Sequence, residues 1–158
     1  MAYEISVRHN FETAHRLPHI GGKCQNLHGH SWWCEITVTA PRAESGTVVE
    51  FGDFKAGIRA WIDRWLDHGT MLGATDVLVD ALANEKCKLF RFGSEGDPSD
   101  AEELAVDLQA PTVENVAELL FRVAKVTLES IPHADGASIS HVKVSETHVN
   151  AASYRVIR

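Results

Sequence analysis

Two histidines separated by one glycine, His28 and His30, close the segment Cys24-Gln25-Asn26-Leu27-His28-Gly29-His30, and a third, His15, precedes it. On a strand, residues two apart project from the same face roughly 7 Å apart, close enough for two imidazoles to share one ion. His15 ends a neighbouring alternating segment on its inward parity and can supply a third nitrogen. Three neutral imidazoles suit Zn2+ with a fourth position open, the pattern of a catalytic rather than a structural site. Cys24 as a fourth ligand would close the site instead. Hydrogen-bonded strand histidines are the plain alternative for an isolated H-x-H, and three on the inward parity of adjoining strands argue against it.

The elements that must hold these residues follow from hydrophobic periodicity. In residues 3 to 15, Ile5, Val7, His9, Phe11, Thr13 and His15 share one parity, which predicts a half-buried strand. After a break at Pro18 and Gly21-Gly22, His28, His30, Trp32, Cys34, Ile36 and Val38 share a face of a second strand, so the two read as a hairpin. Asp53 reads as the N-cap of a helix carrying Phe54, Ile58, Trp61, Ile62, Trp65 and Leu66, which ends near Asp67-His68-Gly69. From Gly69 to Ala110 the pattern weakens to a short helix after the cap candidate Asp76, a short strand over Lys88 to Phe92 and a loop from Gly93 to Pro98. Thr112, preceded by Pro111, caps a second long helix with Glu114 in its first turn and a stripe of Val113, Val116, Ala117, Leu120, Val123 and Thr127. Ala137 to Glu146 and Ala151 to Ile157 read as closing strands. The order ββα…αββ predicts a single α+β domain over 1–158, with a four-stranded antiparallel sheet (ββααββ), two long helices on one face and an insertion at about 69–110 between them.

Composition limits the partners. The chain has 158 residues, 44% hydrophobic and 23% charged, with 15 Lys+Arg against 22 Asp+Glu, a net charge of −7. That is the range of one well-packed domain, and the acidic balance without a clustered basic footprint argues against nucleic acid or an anionic membrane as main partner. The three cysteines, Cys24, Cys34 and Cys87, are odd in number and form no C-x-x-C pair, which argues against a disulfide framework or a thiolate-only zinc site and suits a reducing cytosol. The opening MAYEISVRHNF is charged early and no apolar run approaches the roughly 20 residues of a membrane span, so a cytoplasmic location is expected. Of nine histidines, His9, His19, His133, His141 and His148 receive no role.

Six blocks in one order carry a resemblance. They are F-x-x-A-H-R-L-P-H (Phe11 to His19), C-x-x-x-H-G-H (Cys24 to His30), V-V-E-F-G-D-F-K (Val48 to Lys55), L-D-H (Leu66 to His68), P-T-x-E-N (Pro111 to Asn115) and V-S-E-T (Val144 to Thr147). Together they resemble the 6-pyruvoyl-tetrahydropterin synthase family, and the three-residue spacer after Cys24 resembles its 6-carboxytetrahydropterin synthase branch, which serves queuosine and deazapurine biosynthesis. The resemblance implies the tunnelling fold, in which subunits form a joint barrel as trimers paired into hexamers, with active sites between subunits. An open sheet of few strands leaves edges that such assembly removes.

The same resemblance assigns residues. His15, His28 and His30 would hold zinc, Cys24 would be the general base, and His68 with Asp67 beside it would be the second acid–base group. Glu146 would anchor the pterin and join the proton relay, and Thr112 would line the pterin pocket. A free thiol is mostly protonated at neutral pH, so a thiolate base needs a neighbouring cation or metal. Taken alone, Cys24 reads as a small buried hydrophobe, Asp67-His68 as a helix C-terminus and Thr112 as a cap. Glu146 stands out, because it shares strand parity with Val142 and Val144, where an unpaired carboxylate is costly. The implied reaction converts 7,8-dihydroneopterin triphosphate to 6-carboxy-5,6,7,8-tetrahydropterin with loss of acetaldehyde and triphosphate. A pyruvoyl synthase, an aldolase acting on dihydroneopterin, and a non-catalytic zinc or pterin-binding module are the rivals. An anionic substrate asks for local cations, and Arg16 and Lys23 are nearest in sequence to the metal motif. The insertion at 69–110 departs from the compact family pattern and reads as a lid, an interface element or a substrate selector.

Overall fold

The two alternating segments form the strands that their parity predicts. β1 (Tyr3–His15) and β2 (His28–Ala40) pair antiparallel, from Tyr3 opposite Ala40 to His15 opposite His28. Val7, Phe11, Trp32, Cys34, Ile36 and Val38 are buried on one face, while Arg8, Glu12, Trp33 and Glu35 point to the other. These elements come from a computed structural model that describes residues 1–157; Arg158 of the expected domain lies outside them.

Two long helices cover the buried face. α1 (Phe51–Trp65) presents Phe54, Ile58 and Ile62 to the core, and Leu66 after it is fully buried. Its N-cap is Glu50, not Asp53: the Glu50 carboxylate accepts from the Asp53 amide at 2.8 Å, so the helix starts earlier and Asp53 falls in its first turn. After the short helix α2 (Leu78–Asn84), α3 (Val113–Glu129) buries Val116, Ala117, Leu120 and Val123, and Thr112 caps it by accepting from the Asn115 amide at 3.2 Å. β5 (Ser138–Ser145) and β6 (Ala151–Arg155) close the chain slightly inside the expected limits, leaving Glu146 just past the end of β5.

The sheet corrects the expectation of four antiparallel strands. Among the described residues it has six, in the order β4-β3-β1-β2-β5-β6. The two extra strands, β3 (Gly69–Gly73) and β4 (Leu89–Phe92), come from the insertion, and β3 runs parallel to β1 as β4 does to β3. β3 is short and bounded by glycines, so it carries no alternation that a sequence pattern could catch, yet its Met71 and Leu72 are fully buried. α2 forms the β3-to-β4 crossover that a parallel pair requires. Its N-cap position is Val77, and Asp76 acts one residue earlier by accepting from the Leu78 amide at 2.9 Å. The insertion is therefore in large part a continuation of the core layer, with its remainder strapped across it.

A buried ion pair fastens that strap. Glu102 is 4% exposed, and its carboxylate accepts from the Arg91 guanidinium at 2.8 and 3.0 Å, the Arg91 amide at 2.7 Å and the Ser99 amide at 2.9 Å. Burial opposes ionisation of Glu102, but these donors outweigh it and hold its carboxyl below the ordinary range. Removing one partner of such a pair strands a desolvated charge. Arg91→Met should therefore cost about 3 kcal/mol, the low end for a buried pair because Arg91 is partly solvated. Urea unfolding measures it, and a midpoint equal to that of the parent protein would show the pair to be dispensable.

Candidate functional site

The β1–β2 register places His15 directly opposite His28 and Thr13 opposite His30, so all three imidazoles emerge on the core face where the sheet runs out beside the N-terminus of α3. Their ring centroids lie 4.7 to 5.2 Å apart, and one ligand nitrogen of each lies within 4.8 Å of the others. Main-chain carbonyls orient two of the rings. His15 Nδ1–H donates to the Pro111 carbonyl at 2.8 Å and His28 Nδ1–H donates to the Asn26 carbonyl at 2.7 Å. A carbonyl only accepts, so each Nδ1 must carry the proton and each Nε2 keeps its lone pair. Trp32 forms the floor, its ring edge-on to His15 at 4.9 Å and to His30 at 5.6 Å, with its indole N–H donating to the Thr13 carbonyl.

Nε2 of His15 and Nε2 of His30 are buried and have no hydrogen-bond partner among the described residues. An unpaired buried polar atom costs about 1–3 kcal/mol, so two of them in one cluster need a compensating ligand. The His15 nitrogen carries a lone pair and that of His30 carries one in its Nδ1–H tautomer, so a divalent cation that favours imidazole nitrogen fits them. Burial lowers the His15 pKa despite the opposing Pro111 carbonyl and Glu146 carboxylate, and burial likewise lowers that of His30. The rings are therefore neutral near pH 7, as ligation requires.

Glu146 joins the cluster. Its Oε1 lies 3.2 Å from His15 Nε2 and 3.7 Å from His30 Nε2, without the alignment of a hydrogen bond. The carboxylate adds negative charge where a cation would sit, and with His30, Ser31 and Thr147 it lines an open cleft of about 650 Å3. Cys24 lies in a single helical turn (Gly22–Gln25) between β1 and β2, half-buried and outside the ligand cluster. It differs from Cys34, whose fully buried thiol is pushed up to about 12 by desolvation. Thr112 is next to Pro111, the residue that holds His15.

Asp67 and His68 stand apart, at the corner between α1 and β3. His68 Nδ1–H donates to the Asp67 carboxylate at 2.6 Å, whose other oxygen accepts from the Glu12 amide at 2.8 Å. Burial opposes the charge on Asp67, but the Glu12 amide, His68 and Lys88 together hold its carboxyl below the ordinary range. The His68 side chain is 79% exposed and does not line the cleft of His30 and Glu146. Arg16 is engaged: its Nε donates to the Asp76 carboxylate at 2.7 Å, so its charge is already paired, whereas Lys23 is exposed. A separate cleft of about 670 Å3 lies by Lys125, Leu128 and Ile139 at the other end of α3 and contains none of these groups. The carbonyls of Pro111 and Asn26 were not foreseeable as ring-orienting acceptors, since a main-chain acceptor has no residue signature; the proline ahead of the Thr112 cap was the only hint.

A family model described as 6-pyruvoyl tetrahydropterin synthase matches residues 4–156. A 6-carboxy-5,6,7,8-tetrahydropterin synthase of Haemophilus influenzae is 26% identical over 157 residues, covering 97% of this chain and 99% of that protein. One of Synechocystis is 30% identical over 150 residues, covering 92% and 87%. Among solved structures, a Wolinella succinogenes protein superposes with a TM-score of 0.70 at 21% identity, covering 98% of each chain. The 6-pyruvoyl tetrahydropterin synthase of Caenorhabditis elegans superposes at 0.64 with 19% identity, covering 99% of this chain and 97% of that one.

Two outcomes follow from the geometry. The parent chain should purify with one bound divalent ion, His15→Ala, His28→Ala and His30→Ala should each lose it, and Cys24→Ala should keep it; elemental analysis decides, and metal loss in Cys24→Ala would make Cys24 a ligand. In the metal-free protein, the unfolded imidazoles take up protons near pH 6.5 while the folded His15 and His30 resist, so stability falls as pH drops through that value. The urea midpoint should therefore drop between about pH 7.5 and 5.5, above the carboxylate range, and His30→Asn should remove part of the drop. A midpoint flat across that window would contradict the shifts.

Proposed function

Because this chain belongs to the 6-pyruvoyl tetrahydropterin synthase family, we propose that it converts 7,8-dihydroneopterin triphosphate to 6-carboxy-5,6,7,8-tetrahydropterin, releasing acetaldehyde and triphosphate, in queuosine or 7-deazapurine biosynthesis in the cytoplasm. The observation that carries this reading is the triad of imidazoles with two partnerless buried Nε2 atoms beside the Glu146 carboxylate. The carboxy-synthase names of the Haemophilus and Synechocystis relatives support the choice of product. Zn2+ held by His15, His28 and His30 would supply Lewis acidity toward the side-chain oxygens of the substrate and so acidify the adjacent C–H.

The chain's own groups divide the remaining work. Cys24, the half-exposed thiol on the turn that leads into β2, removes the proton as thiolate. Glu146 accepts hydrogen bonds from the amino and N–H groups of the pterin, which fixes the ring as the electron acceptor, with Thr112 lining its pocket. His68, its Nδ1–H bonded to Asp67, carries protons on Nε2 as triphosphate and the two-carbon fragment leave.

Assembly is part of the reading. His68 is solvent-exposed and away from the His30–Glu146 cleft of its own chain, which supports a site completed by a second copy, as in a tunnelling-fold trimer or hexamer. The edge strands β4 and β6 also supply unpaired main-chain groups for such contacts.

The test is product identification with zinc-loaded protein and 7,8-dihydroneopterin triphosphate. Acetaldehyde with a 6-carboxy pterin is expected, and Cys24→Ala should lose turnover while keeping its metal. A 6-pyruvoyl product, or cleavage without loss of triphosphate, would overturn the assignment in favour of a sister activity, and no turnover by the parent protein would favour a binding module.

A further inference from the structure

The Asp67–His68 corner is built from outside by a residue that neither the metal site nor the cleft uses. Helix α1 ends irregularly there. The Asp67 amide returns to the Ile62 carbonyl at 2.9 Å, so the Asp63 carbonyl has no amide partner in the helix, one of the orphan acceptors of a helix C-terminus. Lys88, just ahead of β4, fills that gap. Its Nζ donates to the Asp63 carbonyl at 2.8 Å and to the Asp67 carbonyl at 2.6 Å. Its stem crosses Gly69 so closely that a Cβ there would meet the Lys88 Cδ at 3.0 Å and Cγ at 3.1 Å.

The rest of the corner converges on the same dipeptide. His68 adopts a left-handed backbone, φ 54°, which costs energy for a residue with a side chain and persists only where the surroundings enforce it. Its amide donates to the Glu12 carbonyl at 2.7 Å, and the Glu12 amide donates to the Asp67 carboxylate. β1 therefore holds one side of the Asp67–His68 turn and Lys88 the other. The Thr70 amide donates to the Lys88 carbonyl at 3.0 Å, which ties the lysine itself to β3.

We propose that Lys88 is a positioning residue for the Asp67–His68 acid–base pair: its ammonium clamps the carbonyls of Asp63 and Asp67, and so fixes the strained turn that leaves His68 Nε2 free. The inference rests on the proposed acid–base role of His68. It gives the insertion a task in the reaction, because the clamp comes from the segment that resembles an addition to the compact family pattern. A plain helix cap would use the same two hydrogen bonds, and the two roles differ in what they do to turnover.

Steady-state kinetics of the zinc-loaded full chain with 7,8-dihydroneopterin triphosphate separate them. Lys88→Met should lower kcat about tenfold with KM and metal content unchanged, and Lys88→Arg, which keeps cationic donors at the helix end, should recover most of it. In a His68→Ala background, Lys88→Met should change kcat by less than about twofold, since the group it acts through is gone. A Lys88→Met protein that melts lower but turns over like the parent, or losses that multiply in the double variant, would overturn the proposal. Wild-type turnover by His68→Ala alone would instead refute the acid–base role beneath it. Should Lys88→Met fail to fold, Lys88→Gln, which puts a shorter neutral amide in place of the ammonium, carries the same comparison.

Discussion

The antiparallel register between β1 and β2 is the constraint from which the rest of this molecule follows. A slip of one residue would turn His15, or His28 and His30, to the opposite face and exchange them for Ala14 or for Gly29 and Ser31. The same parity that gathers the imidazoles also sends Phe11, Trp32, Cys34 and Ile36 into the core. Hydrophobic burial therefore fixes the register, and the register fixes the ligand geometry. Three nitrogen donors facing one point are unfavourable without an ion, and the large core attached to them is what holds them there. Trp32 joins the two parts, since one side chain is at once fully buried core and the wall of the site.

Helix α3 adds a second lock. Thr112 caps the helix, and the Pro111 carbonyl immediately before it holds His15 through Nδ1. Proline suits that place because its nitrogen has no hydrogen to satisfy, while its carbonyl remains free to accept. The ring orientation of the most buried ligand is thus coupled to the start of the longest helix. Glu146 arrives by a different route, from the turn after β5, the strand that pairs with β2, where its amide bonds to the Asn150 carbonyl. Site and core share their supports.

Period-2 alternation made β1, β2 and the buried metal face legible in the sequence, and 3.6-residue periodicity did the same for α1 and α3. What escaped was whatever the chain encodes without periodicity. β3 spans only Gly69–Gly73, and its pairing is parallel and non-local, so no local pattern announces that it adds to the sheet beside β1. The Glu50 cap was hidden by Asp53, a residue type more favoured at that position, and geometry chose between them. His15, His28, His30 and Glu146 were found because imidazoles and carboxylates on an inward parity are costly and so conspicuous. Their main-chain partners, and the lysine that braces His68, have no such mark.

The mixed sheet changes the meaning of the distance between the two chemical centres. Glu12, whose main chain anchors Asp67 and His68, and His15, which heads the ligand cluster, are three positions apart on β1, roughly 10 Å along a strand. β3 draws the Asp67–His68 turn toward its own side of β1, while His28 and His30 lie on the β2 side. One rigid strand therefore carries both centres and also keeps them from closing on each other. No rotamer change of an exposed His68 alters the strand between them. If both act on one substrate molecule, that molecule either spans the strand between them or meets the second centre on another copy of the chain, for which the open edges of the sheet leave room.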